Sequence, residues 1–93
     1  SKAVLVGHNG HFDLSFCLAA YRRCQMKSIF HSFTVFDTAT LIATCYGHTV
    51  LAKGLQRAGI AYDPMQAHGA LYDAQKTAEI YCTMLNQWPQ YKR

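Results

Sequence analysis

An α/β fold is what this sequence predicts, and three observations predict it. The segment AVLVGHN (residues 3–9) is apolar, β-branched and closed by Gly and Asn, as a short buried strand is. TVFDTATL (34–41) opens with the same chemistry. Between and after these runs, apolar residues recur at helical rather than alternating intervals. Strands interleaved with helices favour a layered sheet-and-helix arrangement over a bundle or a sandwich.

The elements follow in order. Asp13 opens the first helix, with Leu14, Cys17, Leu18 and Tyr21 on its apolar side, and the pattern fades at Arg22 and Arg23. QMKSIFHSF (25–33) has no clean period and reads as a loop. The second strand then runs into a short helical stretch that Gly47 stops. Thr49 is the expected N-cap of the next helix, whose apolar side is Val50, Leu51, Leu55 and Ala58 and whose stop is Gly59. IAYDPMQAHG (60–69) is a turn-rich connector in which Pro64 forbids a continuous helix. The last helix is expected from Ala70 to Trp88, halted by Pro89. Its buried face is expected to be Leu71, Ala74, Ala78, Tyr81, Leu85 and Trp88, with Asp73, Thr77, Ile80 and Met84 along the seam beside it.

Strand, helix, strand and three helices make one domain over residues 1–93, with no repeat, low-complexity tract or linker. Two strands are a thin basis for independent stability. The chain also begins without Met and enters a strand by Ala3, so it is expected to be a fragment of a longer domain.

Composition excludes several classes. At 51% hydrophobic and 15% charged residues the chain is not a disordered one. No apolar run approaches the roughly 18 residues of a membrane span, and no secretory signal opens the sequence. The net charge of +4 favours polyanionic partners only modestly, because the cations are scattered in the manner of a solvated surface. Cys17, Cys24, Cys45 and Cys82 form no C-x-x-C pair; three of them sit within apolar or helical patterns and read as buried thiols of a reducing cytoplasm.

Three residues carry candidate chemistry. Asp13 follows the first strand, at the carboxyl edge where open α/β sheets bind ligands. His68 and Asp73 stand at the opening of the last helix, which reaches the same edge if it packs on the sheet. Two carboxylates suit a hard divalent cation, and an imidazole suits proton abstraction from water, which together suggest metal-assisted hydrolysis. Each has a plainer reading: Asp13 as a helix cap, Asp73 as a complement to the helix dipole or a partner of Lys76, His68 as a polar loop residue. Asn9 is expected to hold its turn by side-chain hydrogen bonds. Asp37 reads as structural, with Thr38 bonding nearby backbone. Lys76 reads as solvent-facing, and His8 and His11 do not have the spacing of a zinc motif.

HNGHFD (8–13) and HGALYD (68–73) resemble the second and third motifs of the DEDDh 3′–5′ exonuclease family, the third being H-x-x-x-x-D. LVGHNGHFDLSF, FHSFTVFDTATL, GHTVLAKGLQRAGI and AHGALYDAQKTAEIYCTMLNQW are together similar to the ribonuclease T group within it, a likeness covering residues 3–88. The resemblance implies a ribonuclease H-like three-layer fold, of which this chain would be the C-terminal part with about two strands and three to four helices. It implies two Mg²⁺ ions, replaceable by Mn²⁺, with Asp13 and Asp73 as two of four carboxylate ligands and His68 as general base. It implies Phe12 and Phe33 stacking on terminal bases, where core packing is their plainer reading. It further implies 3′–5′ trimming of RNA ends, tRNA-like or other stable RNA, or of single-stranded DNA, by a cytoplasmic homodimer.

One departure matters. The family's first motif, D-x-E, is absent, and Glu79 in the last helix is the only Glu. The isolated chain is therefore expected to be inactive. The alternative is a non-catalytic nucleic-acid-binding or dimerising module of exonuclease descent; a third reading is a structural fragment with no ligand. The nuclease reading requires the acidic oxygens of Asp13 and Asp73 to converge, with His68 alongside, on one cation-sized gap.

Overall fold

Two strands and four helices form in the order β1 (Ala3–Gly7), α1 (Gly10–Arg23), β2 (Phe30–Asp37), α2 (Thr38–Tyr46), α3 (Leu51–Ala58) and α4 (Ala70–Gln87). They belong to a computed structural model that describes residues 2–88. The fold is mixed α/β, as expected. β1 and β2 pair in parallel, joined by the α1 crossover, with Leu5 opposite Val35, Val6 opposite Phe36 and Gly7 opposite Asp37.

The register is irregular at the start. Between the Ala3–Phe30 and Leu5–Val35 pairs, β1 advances two residues while β2 advances five, so β2 bulges. His31 closes the bulge: its Nδ1 accepts the backbone N–H of Thr34 at 3.1 Å and that of Phe33 at 3.4 Å. The expected loop over 25–33 thus ends at Ile29, and the strand begins at Phe30. An interrupted ladder has no alternation, which is why residues 30–33 carry no strand signal.

Three helices share the core. Ile42 of α2, Leu55 of α3 and Ile80 of α4 are fully buried, with Met84 beside them. α1 lies against the sheet so closely that a Cβ on Gly10 would sit 2.9 Å from Val35 Cγ1. Gly47 and Gly59 stop α2 and α3 in left-handed conformations, at φ 79° and 76°, where a residue without Cβ carries no strain.

Other boundaries and faces differ from expectation. α1 starts at Gly10 rather than at Asp13, because Asn9 takes the cap position in a left-handed conformation (φ 56°). Val50, not Thr49, occupies the cap position of α3. α4 ends at Gln87, and Pro89 lies outside the described residues. The inward face of α4 is Thr77, Ile80 and Met84, whereas Leu71 is 73% exposed and Ala74 and Ala78 are open to solvent. Of the stripe read as its buried face, Ala74, Ala78, Tyr81, Leu85 and Trp88 line clefts instead. All four cysteines are free, and Cys24, Cys45 and Cys82 are exposed; only Cys17 is partly covered. Among the described residues no helix is long and apolar enough to cross a membrane.

Candidate active site

The first wall of the site is built where β1 hands over to α1. Because Gly7 pairs with Asp37, the following turn lies over the junction of β2 and α2. Asp37 Oδ1 accepts the N–H of Asn9 at 2.9 Å and of Ala39 at 2.9 Å, and Oδ2 accepts that of Gly10 at 3.1 Å. His8 spans the same junction: Nε2 donates to the Thr49 carbonyl at 2.7 Å, and Nδ1 shares a hydrogen bond of 2.9 Å with the Thr38 hydroxyl. Asp37 is structural, as expected, but the Thr38 hydroxyl bonds His8 rather than backbone. Asn9 contributes its backbone N–H to the turn, and its side chain caps nothing.

Asp13 stands in the first turn of α1, where the helix dipole favours a carboxylate. It is not the cap, and it makes no hydrogen bond or ion pair among the described residues. A Cβ on Gly7 would lie 3.4 Å from Asp13 Oδ2 and 3.1 Å from Gly10 Cα. The bare glycine lets the carboxylate fold back over the end of the strand.

The opposite wall comes from the connector and α4. Asp63 accepts from the Met65 N–H at 2.9 Å and from Gln66 Nε2 at 3.1 Å, and these bonds hold its carboxyl below the usual range. The Asp63 N–H donates to the Tyr72 hydroxyl at 2.7 Å, tying the connector to α4. His68, exposed, ends the connector at φ 72°, a left-handed conformation uncommon outside glycine. Asp73 lies in the first turn of α4, half-buried, and its Oδ1 is buried without a hydrogen-bond partner among the described residues. Burial raises the Tyr62 phenol above its ordinary value, and the nearby Asp73 carboxylate raises it further. Lys76 pairs with Glu79 at 3.1 Å, so it is not the partner of Asp73.

The two walls enclose one open cleft of about 1070 Å³. Asp13, His68 and Asp73 all line it, together with His8, Tyr62 and the end of β1. Residues far apart in the chain thus border one cleft. Phe12 and Phe33 are not part of its lining. Phe12 is 61% exposed and stacks on His11 at 4.4 Å; Phe33 is 81% exposed, carried on the β2 bulge, with His31 edge-on at 4.3 Å. Neither belongs to the core that this chain forms.

A buried carboxylate oxygen without a donor suits a cation, since leaving it unpaired costs free energy. Among the described residues, however, no three His, Cys, Asp or Glu side chains come together closely enough to hold a metal ion. Sequence reasoning missed His8 and Tyr62 as cleft residues and Asp37 as the anchor of α1. Only for Asp37 was there a signal, its place at the end of a strand that pairs with the strand before Asp13.

The RNase_T family model, described as exonuclease, matches residues 1–81. The chain belongs to this exonuclease family. It is 55% identical over 89 residues to ribonuclease T of Vibrio cholerae serotype O1, covering 95% of this chain and 40% of that protein. Ribonuclease T of Vibrio parahaemolyticus is 54% identical over 89 residues, 95% of this chain and 42% of that protein. Ribonuclease T of Hahella chejuensis is 53% identical over 91 residues, 97% of this chain and 42% of that protein. The chain therefore spans about two fifths of the length of these relatives.

Proposed function

We propose that this chain supplies the C-terminal part of a single 3′–5′ exonuclease domain that hydrolyses phosphodiester bonds at the 3′ ends of RNA or DNA. Maturation of tRNA-like and other stable RNA, by a cytoplasmic homodimer, is the task that the resemblance to the ribonuclease T group implies. One observation carries the reading: Asp13, His68 and Asp73 line one cleft, and the buried Oδ1 of Asp73 has no donor among the described residues.

Each residue has a role in this reading. Asp13 and Asp73 would hold Mg²⁺, or Mn²⁺ in its place, with the remaining ligands of a two-ion site coming from residues outside this chain. When bound, such ions supply charge stabilisation for in-line attack on a phosphodiester. His68 would take the proton of the attacking water; its exposed place on the cleft rim gives it access to solvent and to a bound 3′ end. Phe12 and Phe33, exposed on α1 and on the bulge, would offer rings to the terminal bases, where stacking contributes about 1–3 kcal/mol per base.

The test is made on the full-length protein with Mg²⁺ and a 3′-overhang RNA. Release of nucleoside 5′-monophosphates is expected. Asp73→Asn should lower turnover by about a hundredfold or more, the equivalent of several kcal/mol, while the melting temperature does not fall, because the buried Oδ1 has no hydrogen bond among the described residues to lose. Turnover close to that of the parent would refute the Asp73 role. Tight binding of the RNA with no monophosphate released would instead identify a non-catalytic binding module.

A further inference from the structure

One carboxylate anchors two helices. Asp37 caps its own helix α2 through Ala39, and it also takes the N–H groups of Asn9 and Gly10, which open α1 on the neighbouring strand's side. α1 has no side-chain cap of its own, since Asn9 is left-handed and its side chain bonds no amide of the first turn. The helix start therefore takes a charged acceptor from a different element. His11 Nδ1 lies 3.9 Å from Asp37 Oδ2, and its ring carries Phe12. His8, bonded to Thr38 and Thr49, fastens the same turn from its other side.

We propose that Asp37 is a positioning residue that sets where Asp13 stands on the cleft and where Phe12 stands beside it. The inference rests on the nuclease reading of Asp13. Asp13 has no hydrogen bond among the described residues to hold its side chain, so its location follows from the first turn of α1, and Asp37 fixes that turn. Groups behind a metal ligand commonly govern its affinity by orienting it. Asp37 does so through backbone rather than by touching the carboxylate.

Asp37→Ser in the full-length protein separates the two tasks. A serine hydroxyl can still cap Ala39 in its own helix, but it is too short to reach Asn9 and Gly10 across the strands. Amide hydrogen exchange at Asn9 and Gly10 should accelerate by about tenfold or more while the amides of α4 keep their protection. The Mg²⁺ concentration that half-saturates RNA hydrolysis should rise by about tenfold or more. Asp37→Asn keeps an oxygen for Asn9 and Ala39 and loses the Gly10 bond, so it should fall between; it also serves as the reporter if the serine variant does not melt cooperatively. Unchanged exchange and unchanged Mg²⁺ dependence in a folded variant, against an active parent, overturn the proposal. A parent that hydrolyses no RNA overturns the nuclease reading itself, and the role of Asp37 falls with it.

Discussion

His68 holds its left-handed backbone where the connector meets α4, and the surroundings show how. Asp63 is locked by Met65 and Gln66 on one side and by the Tyr72 hydroxyl on the other, so the turn reaches α4 with little freedom. Backbone strain of this kind concentrates at functional sites. Asparagine tolerates the left-handed region but cannot act as a base near neutral pH. His68→Asn in the full-length protein should therefore leave the melting temperature unchanged and lower kcat by about 10²–10⁴-fold. A kcat within a few-fold of the parent would mean that the proton goes elsewhere. The H-x-x-x-x-D spacing was legible in the sequence because it is local; the φ of His68 was not, because it depends on what Tyr72 and Asp63 do to the connector.

Packing between α2 and α3 turns on Gly54. A Cβ there would lie 2.6 Å from Ile42 Cγ2 and 2.9 Å from Ile42 Cδ1. Alanine favours a helix over glycine by about 1 kcal/mol. Overfilling a tight core costs about 1–3 kcal/mol, and Ile42 is fully buried with nowhere to turn. The clash wins, so Gly54→Ala should lower the melting temperature; a rise would show that the helices can part. The sequence announced where α2 and α3 end, since Gly47 and Gly59 act within their own turns. It misplaced the start of α1 and the start of β2. In both cases the missing information is non-local: α1 is capped by Asp37 from another strand, and β2 is interrupted by a bulge that His31 closes. The inward face of α4 was misjudged for a related reason. Ala74, Ala78 and Tyr81 are apolar because they line the cleft, not because they meet the core.

Seen whole, the described sheet has two strands, and β1 pairs with β2 along one edge only. The cleft opens beside that strand, with Leu5 and Val6 among its lining. Two carboxylates face the gap from this chain, which leaves most of the charge of two adjacent divalent ions uncompensated. Calorimetric titration of the isolated 93-residue chain with Mg²⁺ or Mn²⁺ should accordingly give no pair of tight, coupled sites, and the full-length protein should give two. Two tight sites in the isolated chain would show that it holds a complete centre.

From the sequence alone came the α/β class, the helix stops and the two motifs that carry Asp13, His68 and Asp73, because each is written in neighbouring residues and their backbone preferences. Only the tertiary structure decided that these three side chains border one cleft, that Asp37 reaches across to seat α1, and that Phe12 and Phe33 stand in solvent. The reason is physical. Periodicity reports that a face is apolar and a motif that a group is reactive, but what either one meets is set by strand register and helix docking between segments far apart in the chain.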